Sequence, residues 1–221
     1  MGIEERKKRI SAIHREEIVD AAERLFLRKN YHEVSMDEIS KEAEFTKKTI
    51  YAYFASKELL YIEIMIRGYH KLLNHLEKAM QLSSQKLATA QIQELGLAYM
   101  EFSLKHPNYY QAITDYENQE RDFTETTTEE ASKKELYTLG EQSMAYLIEA
   151  VSAGISKGEI LQIHDPISTS LYLWSCLTGI LHVLHRKKHY LEKGKHIEAK
   201  TFANQAIMQL VQSLNQKERG K

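Results

Sequence analysis

Proline is nearly missing from this chain of 221 residues, which holds only Pro107 and Pro166. So few breakers leave room for long helices, because an interior proline removes a hydrogen bond and clashes with the preceding turn. Cysteine is scarcer still. A lone Cys176 excludes an intrachain disulfide. Its apolar surroundings read as those of a buried structural thiol; a redox sensor is the rival reading, but no Lys or Arg stands beside it to favour a reactive thiolate. No uninterrupted apolar run approaches the roughly 18 residues of a membrane-spanning helix. The basic cluster Arg6-Lys7-Lys8-Arg9 is not followed by the apolar segment of a signal peptide, so a cytoplasmic protein is expected. With a formal net charge of −1, any positive surface must be local rather than global. Also missing are a phosphate-binding Gly-rich loop, a His-Glu-x-x-His pair and a nucleophile motif. Neither an enzyme nor a cofactor is therefore expected.

What is present is an ordinary globular composition, 43% apolar and 28% charged, enough for the core of one or two domains. Strand-like alternation, internal repeats and domain-scale linkers are absent, and the period is helical. Residues 1–14 are polar, an arm or an extension of the first helix. Ile18, Ala21, Ala22, Leu25 and Phe26 then mark one helical face, with an end expected near Asn30, a residue that tolerates a left-handed C-terminal turn. Ser35 with Glu38 has the spacing of a capping box. Thr46 and Ser56 are further N-cap residues. From Ser56 a stripe of Leu59, Ile62, Ile66, Tyr69, Leu73, Leu76 and Met80 steps by threes and fours. That predicts a helix of roughly 24 residues and about 36 Å. Leu87, Leu95, Ala98 and Phe102 suggest a fifth helix, and Pro107 opens a sixth. Residues 118–134, rich in Glu, Thr and Lys, read as a loop. A seventh helix carries Met144, Ile148, Val151 and Ile155 and stops at Gly158; an eighth, after Pro166, is apolar almost all round; a ninth carries Ala203, Ile207, Leu210 and Leu214. The fold class is all-α with about nine helices.

Residues 35–60 hold three helix starts in one short span, and two of the helices they open are too short to be stable alone. Short helices meeting at a tight turn suit a helix-turn-helix DNA reader. Ile18, Ala21-Ala22, Leu25-Phe26, Tyr31, Ser35-Met36, Ile39, Ala43, Thr46, Thr49-Ile50-Tyr51, Tyr53-Phe54 and Lys57-Glu58-Leu59-Leu60 resemble the N-terminal domain of the tetracycline-repressor (TetR) family of bacterial regulators. The resemblance covers about the first third of the chain, and its most specific part is Tyr-x-Tyr-Phe-x-x-Lys-Glu-x-Leu. Two positions depart from it: Asn30 and Glu44 stand where the family usually has glycine. A positive φ at Glu44 would cost about 1 kcal/mol or more. The resemblance implies a three-helix helix-turn-helix domain over residues 12–72, followed by a larger effector-binding and dimerisation domain over 73–221. Residues 46–52 become the recognition helix. Ser35, Thr46, Lys47, Lys48, Thr49, Tyr51, Tyr53 and Lys57 become the candidate DNA contacts. Threonines, lysines and tyrosines there suit phosphate oxygens or base edges, and Lys57 would clamp a phosphate at a helix start. Ile39, Ala43, Phe45, Ile50 and Phe54 are expected in the small core. The basic cluster near the N-terminus is either an arm on the duplex or a plain tail.

Beyond residue 75 the likeness lies only in the helical pattern. It implies a homodimer through helices near 166–190 and 196–215, double-stranded DNA with a palindromic operator as partner, and a small hydrophobic effector of unknown identity. Tyr99, Phe102, Tyr109, Tyr110 and Trp174 are large enough to line the effector's pocket, with ordinary core packing the competing role. His182, His185 and His189 share one helical face, but all three lie on one helix beside Arg186, Lys187 and Lys188. A polar end of the dimer interface is preferred to a metal site. The function expected is that of a repressor released from its operator by a ligand. The alternative is a DNA-binding scaffold of the same fold that works through protein partners.

Overall fold

The structure, a computed structural model, describes residues 2–117, 131–160 and 165–214. Among these the chain forms nine α-helices and no strand: α1 (Ile3–Phe26), α2 (Met36–Glu42), α3 (Lys47–Tyr53), α4 (Lys57–Ser83), α5 (Ala88–Lys105), α6 (Pro107–Glu117), α7 (Ala131–Ser156), α8 (Pro166–Arg186) and α9 (Ala199–Gln212). A 3-10 turn, Tyr31–Glu33, follows α1, and a π-helical turn, Tyr190–Gly194, follows α8. The chain divides into two compact units. One draws on Met1–Tyr69 and Asn108–Thr138, the other on His70–Pro107 and Leu139–Lys221. α4 is a single unbroken helix with residues in both. α6 belongs to the first unit although it lies far along the sequence.

The first unit closes over Ile18, Val19, Ala21 and Ala22 of α1, Met36 and Ile39 of α2, Ile50 of α3, Phe54, and Leu60, Ile62, Ile64 and Met65 of α4, all buried. Each fully buried aliphatic side chain contributes about 1.5–3 kcal/mol. Ala43 and Phe45, expected in this core, are only half-buried. Arg67 of α4 ties down α1 by ion pairs to Glu16 and Asp20, both at 2.7 Å, and to Glu23. Glu23 also accepts a hydrogen bond from the Tyr109 hydroxyl of α6.

Local chemistry explains the helix starts. Ser35 Oγ accepts the Glu38 N–H at 3.2 Å, and Glu38 Oε2 accepts the Ser35 N–H at 2.9 Å, completing the capping box. Lys29 Nζ lies 2.6 Å from the same carboxylate. The Lys29 hydrogen bond and the Ser35 N–H and O–H together pull the Glu38 carboxyl from its usual 4.5 down to about 2. A depressed carboxyl adds stability that is present above 4.5 and is lost as pH falls through about 2. Glu38→Gln should therefore flatten the pH dependence of the melting temperature across that window. An unchanged profile would show that the cap is not formed in solution.

Several boundaries differ from the sequence expectation. Of the two readings of residues 1–14 the extension of the first helix is the one adopted, since α1 begins at Ile3. α1 stops at Phe26, with Leu27 as its C-cap, and Asn30 is not left-handed. With φ −66° it caps the 3-10 turn in a second capping box with Glu33, because its short polar side chain suits a cap better than a helix interior. Leu87 is not inside α5 but precedes it, 63% exposed. No side chain at that position caps α5; Glu159 Oε2 reaches the Ala88 N–H instead, at 2.5 Å. The expected stop at Gly158 is there: its φ is +67°, and its N–H and that of Glu159 close on Ile155 O and Gly154 O. Of the loop expected at 118–134, residues 118–130 lie outside those described, and the chain is helical from Ala131.

In the second unit α5, α8 and α9 pack on one another. Asp165 caps α8, accepting the Ser168 N–H at 3.0 Å, with Pro166 in the first turn. Leu173, Leu181 and Leu184 are buried, whereas Ile167, Leu171 and Tyr172 are 57%, 47% and 55% exposed. By length and composition alone α8 is apolar enough to cross a membrane, yet only 28% of its most apolar window is buried. Cys176 is half-buried rather than buried.

Candidate functional site

Helices α2 and α3 and the turn between them carry most of the residues singled out in the sequence. α2 ends with Phe45 N–H on Ser40 O at 3.1 Å, and Glu44 sits at the left-handed position, φ +58°. This is the conformation glycine adopts without cost, and here a non-glycine residue bears it at an exposed position. Glu44→Gly should raise the free energy of unfolding by about 1 kcal/mol. A urea midpoint that fails to rise would contradict the strain.

α3 begins at a hydroxyl cap. Thr46 Oγ1 accepts the Thr49 N–H at 3.1 Å and lies 2.8 Å from Thr49 Oγ1. The two threonines are thus linked at the leading end of the helix. Ile50 faces the core at 0% exposure and fixes the helix's rotation. Lys47, Lys48 and Tyr51 consequently face solvent, Tyr51 at 46% exposure.

These exposed groups are not equivalent. Lys47 Nζ is paired with Asp37 Oδ1 at 2.8 Å, and that hydrogen bond raises its proton affinity. Lys48 shows no such pair among the described residues. Tyr53 is half-buried; its hydroxyl lies 3.4 Å from His14 Nδ1, and the His14 ring also packs 5.1 Å from Phe45. Ser35 is held in its capping box. Lys57 stands in the first turn of α4, behind a Ser56 cap that accepts the Leu59 N–H at 3.2 Å. Its ammonium turns inward: it donates to Tyr31 O at 2.8 Å and Val34 O at 2.9 Å, and lies 4.2 Å from the Tyr31 ring centroid. The expected phosphate clamp is therefore engaged with the protein's own carbonyls. Sequence reading missed Asp37 and His14. Asp37 had a signal, being an acid in the first turn of a helix; His14 had none.

Among the described residues, the surface that results offers one ammonium without an ion pair (Lys48), one paired ammonium (Lys47), a phenol and two linked hydroxyls at the start of a short helix. All of them are hydrogen-bond donors suited to anionic oxygens.

The remaining candidates are dispersed. Phe102 is fully buried, with ring centroids 6.2 Å from Tyr99 and 5.8 Å from His106. Trp174 is half-buried on α8. Tyr109 and Tyr110, both 8% exposed, belong to the first unit. Of the three histidines, His182 and His189 are exposed. His185 Nε2 lies 2.9 Å from Ser103 Oγ, and burial, then Arg186, lowers its proton affinity. Among the described residues no three acidic, histidine or cysteine side chains are placed to hold a metal.

Comparison with known proteins bears on this arrangement. Residues 18–64 match the pattern described as bacterial regulatory proteins, tetR family, and residues 92–205, more than half the chain, match a tetracyclin repressor-like C-terminal domain. Over 54 residues the chain is 39% identical to YuxN, an uncharacterised HTH-type transcriptional regulator of Bacillus subtilis. That stretch is 24% of this chain and 19% of the relative. A Rhodococcus protein of unknown function superposes with a TM-score of 0.70 at 17% identity, over 92% of this chain and 96% of that one. PfmR, a TetR-family transcriptional regulator from Thermus thermophilus, gives 0.62 at 15% identity, over 88% and 97%. At such identities the superpositions establish the fold.

Proposed function

The chain belongs to the tetR family of bacterial regulatory proteins, and on that footing we propose that it is a sequence-specific DNA-binding transcriptional regulator, a homodimeric repressor that a small ligand releases from a palindromic operator. One observation carries the DNA-binding part. α3 is a short helix capped by Thr46 and anchored by Ile50, with Lys48 and Tyr51 exposed on its outer side. In the proposed complex its leading end enters the major groove. Lys48 meets a phosphate or a guanine edge, Tyr51 a phosphate, and Thr46 and Thr49 share one hydroxyl relay toward the backbone. Lys47 joins them once its bond to Asp37 opens. Ser35, Tyr53 and Lys57 act indirectly: they hold the ends of α2, α3 and α4 in place. Mobility shifts against a genomic fragment library test this. A salt-sensitive preference for a palindromic fragment is expected, and indifference to every duplex would refute it.

The exposed apolar side of α8 supports the dimer. Ile167, Leu171 and Tyr172 there, with Met208 of α9 at 43% exposure, form a surface that a second copy would bury. Leu171→Lys should weaken self-association about thirty-fold or more, the size expected when a buried contact becomes a charge. Sedimentation velocity checks this, and a variant that stays as dimeric as the parent would move the interface elsewhere. In the proposed switch, a ligand that favours one pose of α4 alters the spacing of the two α3 helices. A differential affinity worth about 1–3 kcal/mol suffices.

A further inference from the structure

Every residue from Gly2 to Ile13 is exposed, although Ile3–Phe26 is one continuous helix. The opening turns of α1 therefore stand clear of the core as a helical arm. Burial begins at His14, and the contacts there fix where the arm leaves. The His14 ring packs 5.1 Å from Phe45, in the turn between α2 and α3, and its Nδ1 lies 3.4 Å from the Tyr53 hydroxyl at the end of α3. Arg15 is paired with Glu63 at 2.6 Å and lies over the Phe54 ring, 4.9 Å from its centroid. Phe45 directly precedes Thr46, the cap at the end of α3 that meets DNA in the proposed complex. The arm thus departs beside the turn that leads into α3.

Arg6, Lys7, Lys8 and Arg9 occupy the middle of the arm. Among the described residues none of the four has an ion pair, even with Glu4 or Glu5. Residues 2–14 hold four cations against two acids in a chain of net charge −1, so positive charge is concentrated locally here. At about 1.5 Å per residue, Arg9 lies about 8 Å and Arg6 about 12 Å along the axis from His14. Being helical restricts what these groups can reach. A helix with its side chains is about 10–12 Å across, and the minor groove is about 6 Å wide, so the arm does not fit there. In the proposed complex α3 fills the major groove, which leaves the phosphates beside it. Four consecutive residues, about 100° apart around the axis, point to all sides of the helix, so about two face a duplex at once. The same spacing sets Arg6 between Ile10 and Ile13 and leaves no broad apolar side, which a helix lying on a lipid surface needs.

We propose that the arm is a second, sequence-independent DNA contact, in which Arg6, Lys7, Lys8 and Arg9 bind the phosphate backbone next to the groove that α3 reads. The contact rests on the reading of the chain as a DNA-binding regulator and adds a surface that supplies affinity rather than sequence preference. It takes the arm rather than the plain tail from the two readings the sequence leaves open, and places it on the backbone. Its driving force is the release of counterions as about two cationic groups reach phosphates. A helical segment this short is marginal in water, so the duplex also orders the arm.

Fluorescence anisotropy of the full chain at three salt concentrations tests this, with the preferred fragment from the library and an unrelated duplex of equal length. The parent is compared with an Arg6→Gln/Lys7→Gln/Lys8→Gln/Arg9→Gln variant. The variant should lose about ten-fold or more in affinity for both duplexes alike. Its slope of log affinity against log salt should be lower by about two per bound copy of the chain, with the melting temperature unchanged. Parent-like affinity and slope would overturn the proposal, and so would a loss confined to the preferred fragment, the mark of base readout. Acetylation of the parent needs no variant. Lys7 and Lys8 should lose reactivity toward acetic anhydride several-fold when duplex is added, and unaltered reactivity would equally overturn the contact. Phosphatidylglycerol vesicles check the rival surface: co-sedimentation that the variant loses while its duplex affinity stays intact would assign the arm to a membrane instead. A parent that ignores every duplex removes the regulator and the arm's contact together. A parent that binds its fragment no more tightly than the variant removes the arm alone.

Discussion

Alanine at Lys48 should weaken operator binding about ten-fold and lower the slope of log affinity against log salt by about one, because one ammonium–phosphate contact releases about one counterion. The melting temperature should not move, since the side chain is exposed and has no ion pair among the described residues to lose. The informative contrast is its neighbour. Lys47 starts from a 2.8 Å bond to Asp37, so part of any gain at a phosphate is offset by breaking that pair, and the carboxylate left behind repels the backbone. Asp37→Asn should therefore tighten binding and steepen the salt slope, the opposite of Lys48→Ala. Titrations at three salt concentrations with each variant decide this. Should Lys48→Ala match the parent in affinity and slope, α3 is not the surface that meets DNA.

The features that sequence reading recovered are those fixed by a few adjacent residues. Ser35 with Glu38, Thr46, Ser56, Gly158 and Pro166 each act on backbone groups within three or four positions, so their chemistry can be read along the chain. The positive φ at Glu44 belongs here too, because the turn leaves one residue to bear it. What escaped depends on groups brought together by the fold. Asp37 meets Lys47 only because the turn folds α3 back on α2. Lys57 finds Tyr31 O and Val34 O across 26 and 23 residues, and no spacing rule announces such a pair. The N-terminus of α5 is satisfied by Glu159, 71 residues away. The candidate DNA residues form a neighbourhood on α2–α4 that the sequence marks, but the division into outward groups and structural ones follows from burial and partners. The effector aromatics fared differently. Size and polarity marked them as pocket walls or core, and only packing separates those two.

Phe102 shows how large that difference is. It is fully buried on α5, among the rings of His75, Tyr99 and His106. A side chain in that position contributes its transfer free energy and fills volume that its neighbours cannot reoccupy. Phe102→Ala should therefore destabilise the protein by about 3–5 kcal/mol. Leu104, two residues on and 39% exposed, is the control: Leu104→Ala on the outward side of the same helix should cost about 0.5 kcal/mol or less. Urea unfolding of both variants gives the comparison. A pocket wall would behave otherwise, because a ligand cavity already lacks partners on one side and truncation there removes few contacts. A loss below about 1 kcal/mol at Phe102 would mean that its ring borders open space. The apolar volume of the second unit would then be available to a ligand.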